Sequence, residues 1–130
     1  MYVPYVLYDF SDKQKRSVIR EWVNSGLTRR SRAALNQKLD MLATTGMGLA
    51  PHLLAGPIKK TKHIYKLVIH ADVMLRPMLC KGPFQMDSEF TLLIGATEVQ
   101  WKLTPDPSKA VFNRDVLLAD PERRVPHERY

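Results

Sequence analysis

The sequence predicts an α+β domain: an N-terminal strand, a two-helix hairpin, a three- to four-stranded antiparallel sheet and a C-terminal helix. Two observations carry this. Residues 59–98, KKTKHIYKLVIHADVMLRPMLCKGPFQMDSEFTLLIGATE, contain three apolar runs, IYKLVI, VMLRPMLC and FTLLIGA, separated by short turn-like joints. Ahead of them, residues 11–46 place apolar side chains at helical spacing in two consecutive segments. At 130 residues the chain is one domain by size, spanning residues 1–130, and can bury roughly two-thirds of the surface its unfolded form exposes.

YVPYVLYDF is rich in β-forming residues and reads as the first strand, with Pro4 confining it to a sheet edge. Ser11 is the expected N-cap of the first helix, and Gln14 completes a capping box. Val18, Ile19, Trp22 and Val23 form the buried stripe of that helix, Lys13, Arg16 and Arg20 much of its other face, and Asn24-Ser25-Gly26 its end. Thr28 caps a second helix that buries Ala34, Leu35, Leu39 and Leu42 and stops at Thr45-Gly46. Joined by about two residues, the helices form an antiparallel hairpin whose basic residues, Arg29, Arg30, Arg32 and Lys38, decorate one layer. Arg29 and Arg30 oppose the helix dipole, at a few tenths of a kcal/mol each, and that placement invites a functional reading.

MGLAPHLLAGP, residues 47–57, is an uncharged loop, and Lys59, Lys60 and Lys62 follow it directly. Standing just before the first long strand, these lysines ring one end of the sheet, where they can grip phosphates. In IYKLVIH the alternation sets Tyr65, Leu67 and Ile69 on one face and Lys66, Val68 and His70 on the other. Ala71-Asp72 makes the turn. VMLRPMLCK embeds Arg76 in an apolar run, and Pro77 removes a ladder donor, so an edge or a bulge belongs there. FTLLIGA suits the middle of the sheet, VQWKL extends or adds a strand, and Asp106 or Ser108 caps a last helix with Ala110, Val111, Leu117 and Leu118 as its apolar positions. The charged tail, residues 119–130, is expected to be extended and to fold back on the sheet.

The formal net charge is +7, and it is one-sided. Residues 1–62 carry 11 Lys/Arg against 4 Asp/Glu, whereas residues 63–130 carry 9 against 9. Such asymmetry favours a polyanionic partner, nucleic acid or an acidic protein, met by the N-terminal half. A single cysteine, Cys80, permits no internal disulfide, and neither a signal peptide nor a membrane span is expected, so the default location is cytoplasmic. His52, His63, His70 and His127 show no metal-ligand spacing with Cys80, and LLIGATE has too few glycines to cradle a phosphate, so neither metal nor cofactor is expected.

Chemistry is left to strand cations and imidazoles: Lys66, His70, Arg76 and Lys81. Cleavage of RNA by its own 2′-OH needs a base, positive charge around the phosphorane and an acid for the leaving oxygen, and these residue types supply them without metal. Arg76 reads equally as a strand arginine paired with an acid such as Glu89 or Glu98.

In element order the chain resembles the RelE/ParE superfamily of bacterial toxins. The wording RPMLCKGP, EFTLLIGATE and DPERRVPHER is similar to a phage-related, HigB-like or RelE-like branch. The resemblance implies a ribosome-dependent mRNA interferase of a toxin–antitoxin system, with RNA or the ribosome as target and an acidic antitoxin as partner. It implies catalytic roles for Lys66 and Arg76 and, by looser placement, His70, while the one-sided charge and the strand cations point to nucleic-acid contacts through Arg29, Arg30, Arg32, Lys59, Lys60, Lys62 and Lys81. Those nucleases carry a cation after the last strand, whereas this chain has Ala96-Thr97-Glu98, with Lys102, His127 and Tyr130 as the remaining groups that could compensate. Glu98 motivates the rival expectation, a non-catalytic binding protein contacting nucleic acid, gyrase or an acidic protein.

Overall fold

The computed structural model describes residues 4–130 and has an α+β architecture with helices on both faces of a mixed sheet. Tyr2 and Val3, at the start of the expected first strand, lie outside the described residues. In chain order the elements are β1 (Val6–Phe10), α1 (Val18–Gly26), α2 (Arg29–Thr45), β2 (Leu54–Ala55), β3 (Tyr65–Leu67), β4 (Ile69–His70), β5 (Met74–Leu75), β6 (Met78–Lys81), β7 (Glu89–Ile94), β8 (Thr97–Val99), β9 (Lys102–Thr104), α3 (Pro107–Ala119) and β10 (Arg124–Pro126). A 3-10 turn, Gly46–Leu49, follows α2. Among the described residues no helix is long and apolar enough to cross a membrane.

The first strand departs from expectation. Because β1 begins past Pro4, it is free to sit inside the sheet, between β10 and β7 in the order β10-β1-β7-β6-β3-β2. Its pairing with β7 is parallel, so the sheet is mixed rather than antiparallel throughout. Ser11 does not cap a helix. The Asp12 carboxylate accepts from the amides of Gln14 and Arg16, at 2.9 and 3.0 Å, which folds residues 12–16 into a local turn. The helix therefore starts at Val18, capped by Ser17, whose Oγ accepts from the Arg20 amide. Thr28, Gly46 and Asp106 terminate their helices where the sequence places them.

The hairpin from Tyr65 to Lys81 keeps one register along its length. Tyr65 pairs with Leu79, Lys66 with Met78, Ile69 with Leu75 and His70 with Met74, so Leu67 and Val68 lie opposite Pro77 and Arg76. Pro77 breaks the ladder at that point and divides the hairpin between the six-stranded sheet and a four-stranded one, β4-β5-β8-β9. The β6/β7 register also shifts between Met78 and Leu79, the bulge that Pro77 suggests. β6 nevertheless lies inside the sheet, between β7 and β3.

Both faces are covered. Ile19, Val23, Leu35, Leu39 and Leu42 of α1 and α2 pack on Leu7, Leu67, Leu79, Phe90 and Leu92. Ala110 and Leu117 of α3 pack on Met78, Cys80 and Leu93 from the other side. Double burial explains the nearly continuous apolar run of β7, since successive side chains enter opposite cores. Leu118, expected inside, is exposed. Residues 120–130 fold back as anticipated, with β10 antiparallel to β1.

Candidate functional site

Lys66, His70 and Arg76 share one face of the β3–β6 hairpin. His70 and Lys66 are on alternate positions of one strand, and Arg76 stands diagonally across from each, roughly 7–8 Å away at Cα. Leu75 pairs with Thr97, so Glu98, the next residue, is directed to this same face. Its Oε1 lies 3.6 Å from Lys66 Nζ and 3.6 Å from Arg76 Nε. Arg76 is sealed in: its side chain is 5% exposed, and Nη1 donates to the carbonyls of Leu75 at 2.9 Å and Ile69 at 3.4 Å. Lys66 and Glu98 are 26% and 17% exposed, and His70 is open to solvent.

The arrangement thus gathers the expected catalytic residues and supplies them with an internal counter-anion. A phosphate reaching Lys66 and Arg76 would meet the Glu98 carboxylate first, and in a partly desolvated site that repulsion is weakly screened. Arg76 holds the hairpin at its Pro77 gap, where its guanidinium takes up carbonyls of both strands.

The other expected cations are dispersed. Lys59 and Lys60 form the corner of a turn closed by the Thr61 amide on the Ile58 carbonyl at 2.9 Å, with Lys60 at φ +70°, as the third residue of a type II turn requires. Both are exposed, as is Lys62. With Thr61 they line a cavity of about 410 Å³ against Asp106, Pro107, Ser108 and Val111 at the start of α3. The Ser108 amide holds the Asp106 carboxyl below the usual carboxylate range, and the Lys60 charge adds to this. Arg29 is exposed, Arg30 lies 3.8 Å from Asp72, and Arg32 is half-buried with a buried Nε that has no hydrogen-bond partner among the described residues. Lys81 is half-buried on β6. The lysine turn leads into Tyr65 whereas Arg30 meets the turn after His70, so the two groups stand at opposite ends of a strand path of roughly 17 Å. They do not form one patch.

Two further clusters could not be assembled from the sequence. The buried Asp9 carboxylate accepts from Ser17 Oγ at 2.6 Å and Tyr130 OH at 2.7 Å, and lies 3.1 Å from His127 Nδ1. His127 and Tyr130 are thereby held at β1, three strand spacings from β3 or roughly 14 Å, and do not compensate at the Lys66 face. A cavity of about 470 Å³ opens beside Asp9; of its cations, Arg16 is committed to Asp12 and Glu21 and Arg20 to backbone carbonyls of Glu128 and Arg129 and to the face of Tyr130, while Lys15 is exposed. The second cluster is the β8–β9 hairpin, whose two-residue turn, Gln100-Trp101, leaves Trp101 93% exposed. VQWKL reads as one strand because neither residue is a turn former.

Comparison of the chain with protein-family models, with curated proteins and with solved structures returned no match.

Proposed function

We propose that this chain is a toxin-like protein that binds RNA, at the ribosome or free, and does not cut it. Its similarity in sequence wording to RelE/ParE toxins supplies the toxin-like part, and the net charge of +7 with the exposed Lys59, Lys60 and Lys62 supports a phosphate-bearing partner. One observation carries the choice of binding over cleavage: Glu98 stands 3.6 Å from both Lys66 and Arg76, the two cations a phosphorane would need. An acidic antitoxin is the protein partner that fits the same basic surface. The test is primer extension on mRNA from a translation extract given the purified protein. Intact message, together with retention of labelled RNA by the protein, is the expected outcome.

A second reading rests on the shared face. Glu98 is itself a carboxylate base held among two cations with His70 nearby, so a 2′-OH could lose its proton to Glu98 while His70 protonates the leaving oxygen. Message cleavage that disappears in both His70→Ala and Glu98→Gln would favour it over binding alone; His70 is exposed, so its replacement leaves the fold intact.

A further inference from the structure

The β8–β9 hairpin presents its tip at a conformational cost. Gln100 and Trp101 have φ of +49° and +67°, the sign pattern of a type I′ turn, which Asn-Gly adopts without strain and a glutamine and a tryptophan do not. What the turn holds out is the chain's largest side chain type, 93% exposed, beside Val99, 62% exposed, and the solvent-exposed Lys102 paired across from it. The opposite side of the hairpin is tied down, since Glu98 meets Lys66 and Arg76. The finger is therefore rooted in the sheet, with its tip projecting into solvent.

At its foot the hairpin runs through Pro105 to Asp106, which lines the cavity of about 410 Å³ together with Lys59 and Lys60. Thr104 is three strand residues from Trp101, roughly 10 Å. Cations at the foot, and at the tip a cation beside one flat, solvent-exposed aromatic surface, form the combination that holds a single strand: phosphates along the basic groups, one base on the ring. A protein partner would instead ask for a broad apolar patch ringed by polar groups, and Trp101 has only Val99 as an exposed apolar neighbour on its hairpin.

Resting on the RNA-binding reading above, we propose that Trp101 is a base-stacking residue for an unpaired nucleotide, with Lys102, Lys59 and Lys60 meeting the flanking phosphates. Unpaired bases are specified because a stacked base in a duplex offers no free face to the indole.

The test is fluorescence anisotropy of labelled single-stranded and duplex RNA with the full chain and its variants. Trp101→Ala should weaken single-strand binding roughly 5- to 150-fold while leaving its salt dependence unchanged, because no charge is removed. Trp101→Phe should retain most of the affinity, and quenching of indole emission by RNA in the wild type should vanish in it. Equal binding by wild type and Trp101→Ala overturns the finger but leaves RNA binding standing, and would mark the tip for a protein contact. Equal weakening on single strand and duplex also overturns stacking. No RNA binding by the wild type overturns both readings.

Discussion

A Cβ on Gly95 would sit 1.9 Å from Cδ2 of Trp22, so the indole of α1 lies directly on the backbone of the segment after β7. This is what the glycine of LLIGATE does: it admits a ring. Gly95→Ala should lower stability by about 1–3 kcal/mol through overpacking, visible as a fall in Tm of several degrees with no change in RNA affinity. Residue alternation made the common face of Lys66 and His70 readable in the sequence, and Arg76 and Glu98 were foreseeable as an ion pair. The environment of Arg76 was not, because it depends on carbonyls freed where Pro77 interrupts the hairpin. Cys80 lies inside the α3 side of the core, where burial pushes its thiol up to about 11, so it is a packing residue rather than a nucleophile.

At the scale of elements, local pairings were legible and distant ones were not. The turn at Ala71-Asp72 and the helix ends at Thr28, Gly46 and Asp106 follow from neighbouring residues, although the start of α1 does not; the parallel pairing of β1 with β7 joins segments about eighty residues apart and leaves no local trace. The fold-back of residues 120–130 was expected from their extended character; its anchor, Asp9, lies 118 residues from His127 and 121 from Tyr130. That anchor has a pH signature. Burial, followed by the charge of Asp9, raises the Tyr130 hydroxyl well above its ordinary value near 10. The folded state thus keeps this proton where the unfolded chain has released it, so the contribution is complete below about pH 10 and declines as pH rises further. Tm should fall more steeply above pH 10 in the wild type than in Tyr130→Phe, and parallel curves would remove Tyr130 from this role. The same substitution should cost about 1–3 kcal/mol at neutral pH, since it takes one donor from a buried carboxylate.

For the whole molecule, the excess of cations in residues 1–62 does not become one basic face. Arg16 and Arg30 have acidic neighbours, Arg20 is held by the folded-back tail and Arg32 is half-buried; Lys13, Lys15 and Arg29 are exposed around the helices, and Lys59, Lys60 and Lys62 are exposed before β3, where Lys59 and Lys60 line a cavity with Asp106 at the foot of the β8–β9 hairpin. Composition alone suggests the sign of a partner's charge but not the surface that would meet it, which depends on how β3, β9 and α3 meet. In the proposed reading, RNA is met by the exposed Lys59, Lys60 and Lys62 and not by the cations that Glu98 neutralises. This is tested most directly by the salt dependence of RNA affinity in two variants. Replacing Lys59, Lys60 and Lys62 by Gln should reduce the slope of log affinity against log salt by roughly 0.7 for each phosphate no longer neutralised, about 2 in all, while Lys66→Gln should leave it near the wild-type value. A slope that falls in Lys66→Gln and stays unchanged in the triple variant would contradict the account.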